Sequence, residues 1–433
     1  MAVKYFSKPV FLATLICVIF FYSQKSFVLK DKTVNSLVVA NDISLIKGNI
    51  LSSPVKISNG KYYSCKFLTK YTGATIECQN KKNEQIISSA KGEIEVFIPT
   101  ELVEAYFPGK LFSITKKNKK NDNVYNGHLF EKGGTYTLTG RTYNNSFYTE
   151  NCKSSYWDKS FFGKLNYFRA LCRLHFKRLM YKWGNGGGLL LALLSGAKEY
   201  TNENTAIAFK NAGLSHILAL SGMHLSMFSA IALFIGKKIG RKKLSYIIRI
   251  CALIIFVWFA GFSPSLLRAF ICAMMMILGS IAGVEQPDML MILCFSFLFQ
   301  SMISPADIYN IGFILSYGAL AGILITSKLF QTFFIKIFPT PLASSLSAST
   351  GAQIFTAPIS LKMFGTFCPI GIVATAIVSP LITLFIYTGL FLILISLIIP
   401  ILEGPSGIFI NLQYNVINNL VIFFSHAPIW RLN

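Results

Sequence analysis

From Leu214 to Phe424 the chain repeats one pattern: an apolar run of span length, then a short break of Pro, Gly or charge. About 20 apolar residues cross a bilayer as a helix. The runs predict spans at Leu214–Ile235, Leu244–Phe262, Leu266–Gly283, Met289–Ile303, Ile308–Ile325, Leu342–Met363, Phe367–Phe385, Ile386–Ile401 and Ile408–Phe424. Gly186–Gly196 is apolar but too short to cross. It precedes a helix-start signal at Thr201-Asn-Glu-Asn-Thr and a stop at Gly213, so a re-entrant hairpin is expected over Gly188–Gly213. Near the start, Lys4 and Lys8 precede the apolar run Val10–Tyr22. It reads as an uncleaved N-terminal helix, with a cleaved signal peptide as the alternative.

Residues 34–160 have a different pattern, polar and alternating with Gly, Pro and Asn punctuation. Strands are expected at Tyr62–Thr69, Ala74–Cys78, Glu93–Pro99, Leu111–Thr115, Gly134–Tyr143 and Phe147–Glu150. Short strands at this spacing suggest a small barrel or sandwich. A turn at Tyr71-Thr72 would place Cys65 across from Cys78, within reach of a disulfide in an exported domain. Two unpaired cysteines remain the alternative. Leu165–Trp183 is amphipathic, with Arg169, Arg173 and Lys177 in one row at four-residue spacing. Such a helix lies in the headgroup region, either as an anchor or as a cationic mouth. The pattern therefore predicts a polytopic α-helical membrane bundle of about 9–11 spans, re-entrant helices included, behind an exported all-β domain. Its divisions are a transmembrane helix in 1–33, the β-domain in 34–160, the interfacial helix in 161–185 and the bundle in 186–433.

Charge sharpens this picture. From Cys251 onward the charged residues are Glu285, Asp288, Asp307, Glu403, Arg268, Lys328, Lys336, Lys362 and Arg431, too few to cover a water-soluble globule. The net charge of +23 is concentrated elsewhere. Between Phe161 and Ile250 there are 14 Lys and Arg against Glu199 and Glu203, so a polyanionic partner is one reading. Lys237–Lys243 also reads as a positive-inside anchor on the cytoplasmic side.

Within this greasy region a few polar groups stand out. Gly213-Leu-Ser215-His216-Ile-Leu-Ala-Leu-Ser221-Gly222-Met-His224 places two serines and two histidines in an apolar run. On one continuous helix His216 and His224 would lie about 12 Å apart, too far to share a metal, so no metal site and no cofactor are assigned. Ala219-Leu-Ser221-Gly222 superficially resembles the Gly-x-Ser-Gly nucleophile of intramembrane rhomboid proteases. The histidine of that family comes from a separate helix, whereas His224 is one turn from Ser221. Gly261-Phe-Ser-Pro-Ser265-Leu-Leu-Arg268-Ala sets an arginine in a membrane helix. Such a group needs a partner or water, and phosphate, Asp307 and backbone carbonyls are all candidates. Gly312-Phe-Ile-Leu-Ser316-Tyr-Gly318-Ala contains a close-packing Gly318-x-x-x-Gly322 face. Ser344–Leu381 begins with Ser345, Ser347, Ser349, Thr350, Gly351 and Gln353 on one small-residue helix.

These four segments, in this order and spacing, closely resemble the ComEC-type competence proteins, membrane channels for DNA uptake in naturally transformable bacteria. Ile314 stands where that family usually has Gln, and Thr375 where it commonly has Asn. The resemblance implies an OB-like exported domain ahead of a channel that passes single-stranded DNA across the bacterial cytoplasmic membrane. It implies Ser215, His216, Ser221, Gly222, His224, Arg268, Gly312 and Ser316 as channel or gate residues, with Arg169, Arg173 and Lys177 as a DNA-attracting mouth. Implied partners are single-stranded DNA, membrane lipids, a DNA receptor, a separate nuclease, and a cytoplasmic motor or single-strand-binding protein. Many family members continue into a metallo-β-lactamase-like domain. This chain has no His-x-His-x-Asp-His cluster, and His128, His175 and His426 stand singly, so no nuclease activity is expected of it. A small-solute permease and an intramembrane serine hydrolase are the alternatives.

Overall fold

The computed structural model describes residues 9–23, 43–57, 60–76, 84–105, 128–284 and 287–431. It divides into two compact units, one of residues 30–182 with 197–199, the other of 1–29, 183–196 and 200–433.

The first unit is built on strands β1 (Leu45–Ile50), β2 (Val55–Lys56), β3 (Tyr62–Ile76), β4 (Glu84–Pro99), β5 (Thr135–Tyr143) and β6 (Ser146–Tyr156), with the short helix α2 (Thr100–Glu104) after β4. The sheet order is β1-β5-β6-β4-β3-β2, and a further pairing of β1 with β3 closes five strands into a barrel-like sheet. All pairs are antiparallel except β4 with β6. Alternation along the strands sends Ile46, Ile50, Tyr63, Phe67, Val96, Ile98, Tyr136, Leu138 and Phe147 inward, where all are fully buried. Closure needs sharp bends, and two glycines supply them. Register shifts fall at Lys47/Gly48 and Thr139/Gly140. A Cβ at Gly48 would collide with the Leu68 carbonyl oxygen, and one at Gly140 with that of Tyr148.

This barrel corrects the expected hairpin. There is no turn at Tyr71-Thr72: β3 runs on to Ile76, and Cys65 faces Val96 of β4. At about 3.3 Å per residue β3 has carried the chain far from Cys65 by Ile76. Cys78 itself, like the expected strand Leu111–Thr115, lies outside the described residues. Cys65 is a buried free thiol, and burial pushes it up to about 12.

The helix α3 (Phe161–Lys182) belongs to the same unit, and it corrects the picture of a solvated cationic row. Arg169, Arg173 and Lys177 are all buried. Arg173 Nε donates to Glu131 Oε1 at 3.1 Å, and Lys177 Nζ lies 2.7 Å from Glu199 Oε1 and 3.9 Å from Glu131 Oε1. Burial alone would raise the Glu131 carboxyl, but Arg173, Lys177, a hydrogen bond from Ser53 and Arg169 together hold it down at about 2. These cations neutralise buried acids, and they do not present a charged face to a ligand.

The second unit is helical. Its elements are α1 (Pro9–Ser23), α4 (Gly184–Ser195), α5 (Glu203–Asn211), α6 (Gly222–Ile239), α7 (Lys242–Ala260), α8 (Pro264–Ile281), α9 (Met289–Ile303), α10 (Ile311–Phe334), α11 (Thr340–Phe364), α12 (Gly371–Ile398) and α13 (Glu403–Ser425). The two-residue strands β7 (Thr366–Phe367) and β8 (Trp430–Arg431) pair with each other. Among the described residues, five stretches are long and apolar enough to cross a membrane: Lys243–Ala260, Pro264–Ile281, Ile311–Phe334, Gly371–Ile398 and Pro400–Ser425. The two spans expected at Phe367–Phe385 and Ile386–Ile401 are one continuous helix, α12, with Pro380 inside it. The re-entrant segment is two short helices, with Gly196 capping α4 in the left-handed region at φ 73°. Helix α1 lies against α9, with Tyr22 Oη donating to Ile308 O at 2.8 Å and Cys17, Val18 and Phe21 packed on the Phe297–Phe313–Tyr317 cluster.

The Gly-x-x-x-Gly face is used at one end only. A Cβ at Gly322 would strike the Gly351 carbonyl oxygen of α11, whereas at Gly318 the nearest atom is Ile359 Cδ1 at 3.7 Å. Backbone contact between α10 and α11 therefore depends on the Gly322–Gly351 pair.

Two outcomes test this architecture. Gly322→Val should lower the thermal midpoint of the detergent-purified chain, an overpacking cost of about 1–3 kcal/mol, while Gly318→Val should cost less. In the β-unit the depressed Glu131 carboxyl contributes stability above its unfolded value near 4.5, and that contribution is lost as pH falls toward about 2. Glu131→Gln should therefore flatten the loss of stability between pH 5 and pH 3 in a melting series. At neutral pH it should destabilise by about 3–5 kcal/mol, because it leaves Arg173 buried without its partner.

Candidate functional site

The run expected to be a helix from Leu214 is helical only from Gly222. After α5 the chain makes irregular turns through Leu214–Leu220, and Ser221 caps α6. Gly213 allows the entry, at φ 74°, where an added Cβ would sit 3.1 Å from Cys368 Cβ and Gly371 Cα. Little of the backbone in the irregular segment is paired regularly. Leu214 N–H reaches Phe209 O at 2.8 Å, Ile217 N–H reaches Leu214 O at 2.9 Å, and the Leu220 carbonyl accepts a hydrogen bond from Ser265 Oγ at 2.8 Å. Ser215, His216 and Ala219 are exposed on this segment, while Leu214, Ile217, Leu218 and Leu220 point into the protein. His216 and His224 therefore do not share a helix.

His224 is turned back on its own helix start. Its Nδ1 accepts the Ser221 backbone N–H at 3.2 Å and lies 3.3 Å from Ser221 Oγ. With Nδ1 accepting, the ring proton sits on Nε2, which is buried with no hydrogen-bond partner. This is a capping arrangement. The hydroxyl lies just beyond the reach a general base needs, and no third group orients the ring from Nε2.

Gly222 faces Arg268. A Cβ placed on Gly222 would sit 3.4 Å from both Arg268 Nη2 and Ala269 Cβ. Arg268, one turn into α8, is 9% exposed. Its Nη1 donates to the Ser316 carbonyl of α10 at 2.9 Å, and its guanidinium carbon lies 5.9 Å from the Tyr317 ring centre. Its Nε has no partner. Asp307, a possible counter-charge on sequence grounds, is engaged elsewhere: Gln300 Nε2 donates to it at 3.4 Å and to Pro264 O at 3.1 Å. Tyr317 Oη donates to Gln300 Oε1 at 3.1 Å and lies 3.2 Å from Ser296 Oγ. Among the described residues no carboxylate pairs with Arg268.

Of the expected residues, the structure brings together Ser221, Gly222, His224, Arg268 and Ser316, the last through its backbone. Ser215 and His216 sit nearby in sequence but make no contact with this group. Gly312 starts α10, where its N–H is taken by Asn310 Oδ1 at 2.8 Å. The hydroxyl row of α11 is quieter than expected. Ser347 donates to Ala343 O and Thr350 to Leu346 O, each within the helix. Sequence reasoning missed Ser265, Ser296, Gln300 and Tyr317. Gln300 had a signal, as an amide in the otherwise apolar run Met289–Ile303. Among the described residues no group of three or more His, Cys, Asp or Glu is placed to hold a metal.

Gln300→Leu should remove the hydrogen bonds that Gln300 makes with Pro264 O, Asp307 and Tyr317 Oη and lower the stability of the bundle by about 1 kcal/mol per bond lost. Thermal unfolding of the variant and the wild type in detergent measures it.

This constellation lies within residues 193–433, which match the family model described as Competence protein. ComE operon protein 3 of Bacillus subtilis (strain 168) is 28% identical over 204 residues, covering 47% of this chain and 25% of that protein. An uncharacterized protein of Aquifex aeolicus (strain VF5) is 25% identical over 236 residues, covering 54% of this chain and 53% of its own length. The chain thus spans about half or less of the length of the curated relatives it matches. No solved structure matches. The family match covers more than half of the 433 residues and takes in every helix of the site, so this chain belongs to the Competence protein family.

Proposed function

We propose that the chain acts in DNA uptake, passing single-stranded DNA inward through its helical unit across the bacterial cytoplasmic membrane. The observation that carries this is the break at Leu214–Ser221. Irregular backbone at membrane depth is tolerated where protein covers it or water reaches it. Here three of its side chains, Ser215, His216 and Ala219, stay exposed on the irregular segment. Family membership and the likeness to a protein of a ComE operon favour a nucleic-acid cargo over a small solute. A strand conduit needs attraction to phosphate and tolerance of any base. Arg268 and the α6 start would supply the first, and the exposed turn would act as a gate.

The β-unit is an OB-like domain on the outer face in this reading. Its closed five-strand order, with β4 and β6 parallel, supports that assignment. The division into a membrane helix, β-domain, connecting helix and channel follows the same reading. A DNA receptor outside, a separate nuclease, and a motor or single-strand-binding protein inside would complete the path.

Deleting the gene from a competent strain should reduce transformation by naked DNA by several orders of magnitude, with DNA binding at the cell surface retained. Unchanged transformation, with the deletion verified, contradicts the reading.

A further inference from the structure

The geometry points to a seat for one phosphate-type oxyanion between the N-terminus of α6 and Arg268, and, resting on the uptake reading above, its occupant is a phosphodiester of the passing strand. Two positive sources converge there. Helix α6 has 18 residues, and its first amides, at Gly222 and Met223, have no partner within the helix. Such an end carries partial positive charge and is suited to anions. The second source is independent. Arg268 is 9% exposed, its Nε is unpartnered, and its Nη2 is turned to Gly222. Among the described residues its guanidinium donates to a neutral carbonyl, Ser316 O. A charged side chain in a membrane helix is costly even on the mildest scale. A carbonyl and an aromatic face offset part of that, but neither carries a full negative charge.

Among the described residues no carboxylate fills this role. Asp307 is held by Gln300, and α6 and α8 present Ala269 and the glycine on the facing surface. Gly222 keeps the approach open, since any side chain there would stand at 3.4 Å from the guanidinium. Ser221, Gly222 and Met223 are half-buried, so the α6 start is partly accessible. A phosphodiester has two non-bridging oxygens. One can face the α6 amides and the other the guanidinium. A single such seat would hold the backbone and leave the bases unread, as sequence-tolerant passage requires.

The test uses the full chain in nanodiscs, with wild type, Arg268→Gln, Arg268→Lys and Gly222→Ala compared. Inorganic phosphate should raise the melting temperature of wild type and Arg268→Lys but not of Arg268→Gln. Gly222→Ala, whose added methyl makes only ordinary contacts, should fold normally and show a reduced phosphate shift. A 20-nucleotide oligothymidylate should bind wild type with a salt slope steeper by about 0.7 than it binds Arg268→Gln, the value for one contact on a single strand. An uncharged methylphosphonate oligothymidine should erase that difference. Equal phosphate shifts and equal salt slopes in wild type and Arg268→Gln would overturn the seat while leaving DNA binding itself intact. If phosphate stabilises wild type alone but the oligonucleotide does not bind, the strand as occupant is overturned. Loss of the phosphate shift in phosphatidylglycerol discs but not in phosphatidylcholine discs would then identify a lipid headgroup as the source.

Discussion

A guanidinium buried among membrane helices has to be answered by something, and in this protein the neighbouring elements are arranged around that demand. Arg268 reaches across to the Ser316 carbonyl, its charge lies near the Tyr317 ring, and Tyr317 is fixed by Gln300 and Ser296. Gln300 in turn ties the start of α8 to Asp307 before α10. Ser265, one turn from Arg268, holds the last carbonyl of the irregular segment. The break in the chain and the buried cation are thus parts of one polar structure, sharing helices α6, α8, α9 and α10. Inside hydrocarbon such groups cannot be left to solvent, so each link constrains the next.

Much of the helical unit could be read from hydrophobic run length. Met289–Ile303 has the same limits in sequence and structure, and Leu244–Phe262 and Leu266–Gly283 differ from α7 and α8 by two residues at each end. The failures have local physical causes. Leu214–Leu220 is as apolar as its neighbours, so run length continues the helix through it, while Gly213 and the capping Ser221 mark its true ends. The boundary expected between Phe385 and Ile386 is absent, because α12 runs through it, and Pro380 within this long apolar helix is accommodated.

The cationic row of α3 failed for another reason. Four-residue spacing reports which residues share a face but not what that face meets. Glu131 lies 42 residues before Arg173 in the chain, and only the fold brings them together. The same limit applied to Cys65, whose cross-strand neighbour depends on where the strand turns. Candidate site residues fared in proportion to their locality. Ser221, Gly222 and His224 are contiguous and were legible as a group. The role of Arg268 was visible as a need, but its company of Ser265, Gln300 and Tyr317 comes from three separate helices.

The length of α12 has a consequence for the bilayer. Its 28 residues rise about 42 Å, against a hydrocarbon thickness of about 30 Å. A rod that long, apolar along its course, cannot stand upright without leaving greasy turns in water. Leaning by about 45°, bending at Pro380 or locally thickening the lipid are the available remedies. Each would make the protein sensitive to acyl-chain length, so thin and thick membranes would favour different postures of this helix and of α11 and α13 packed beside it.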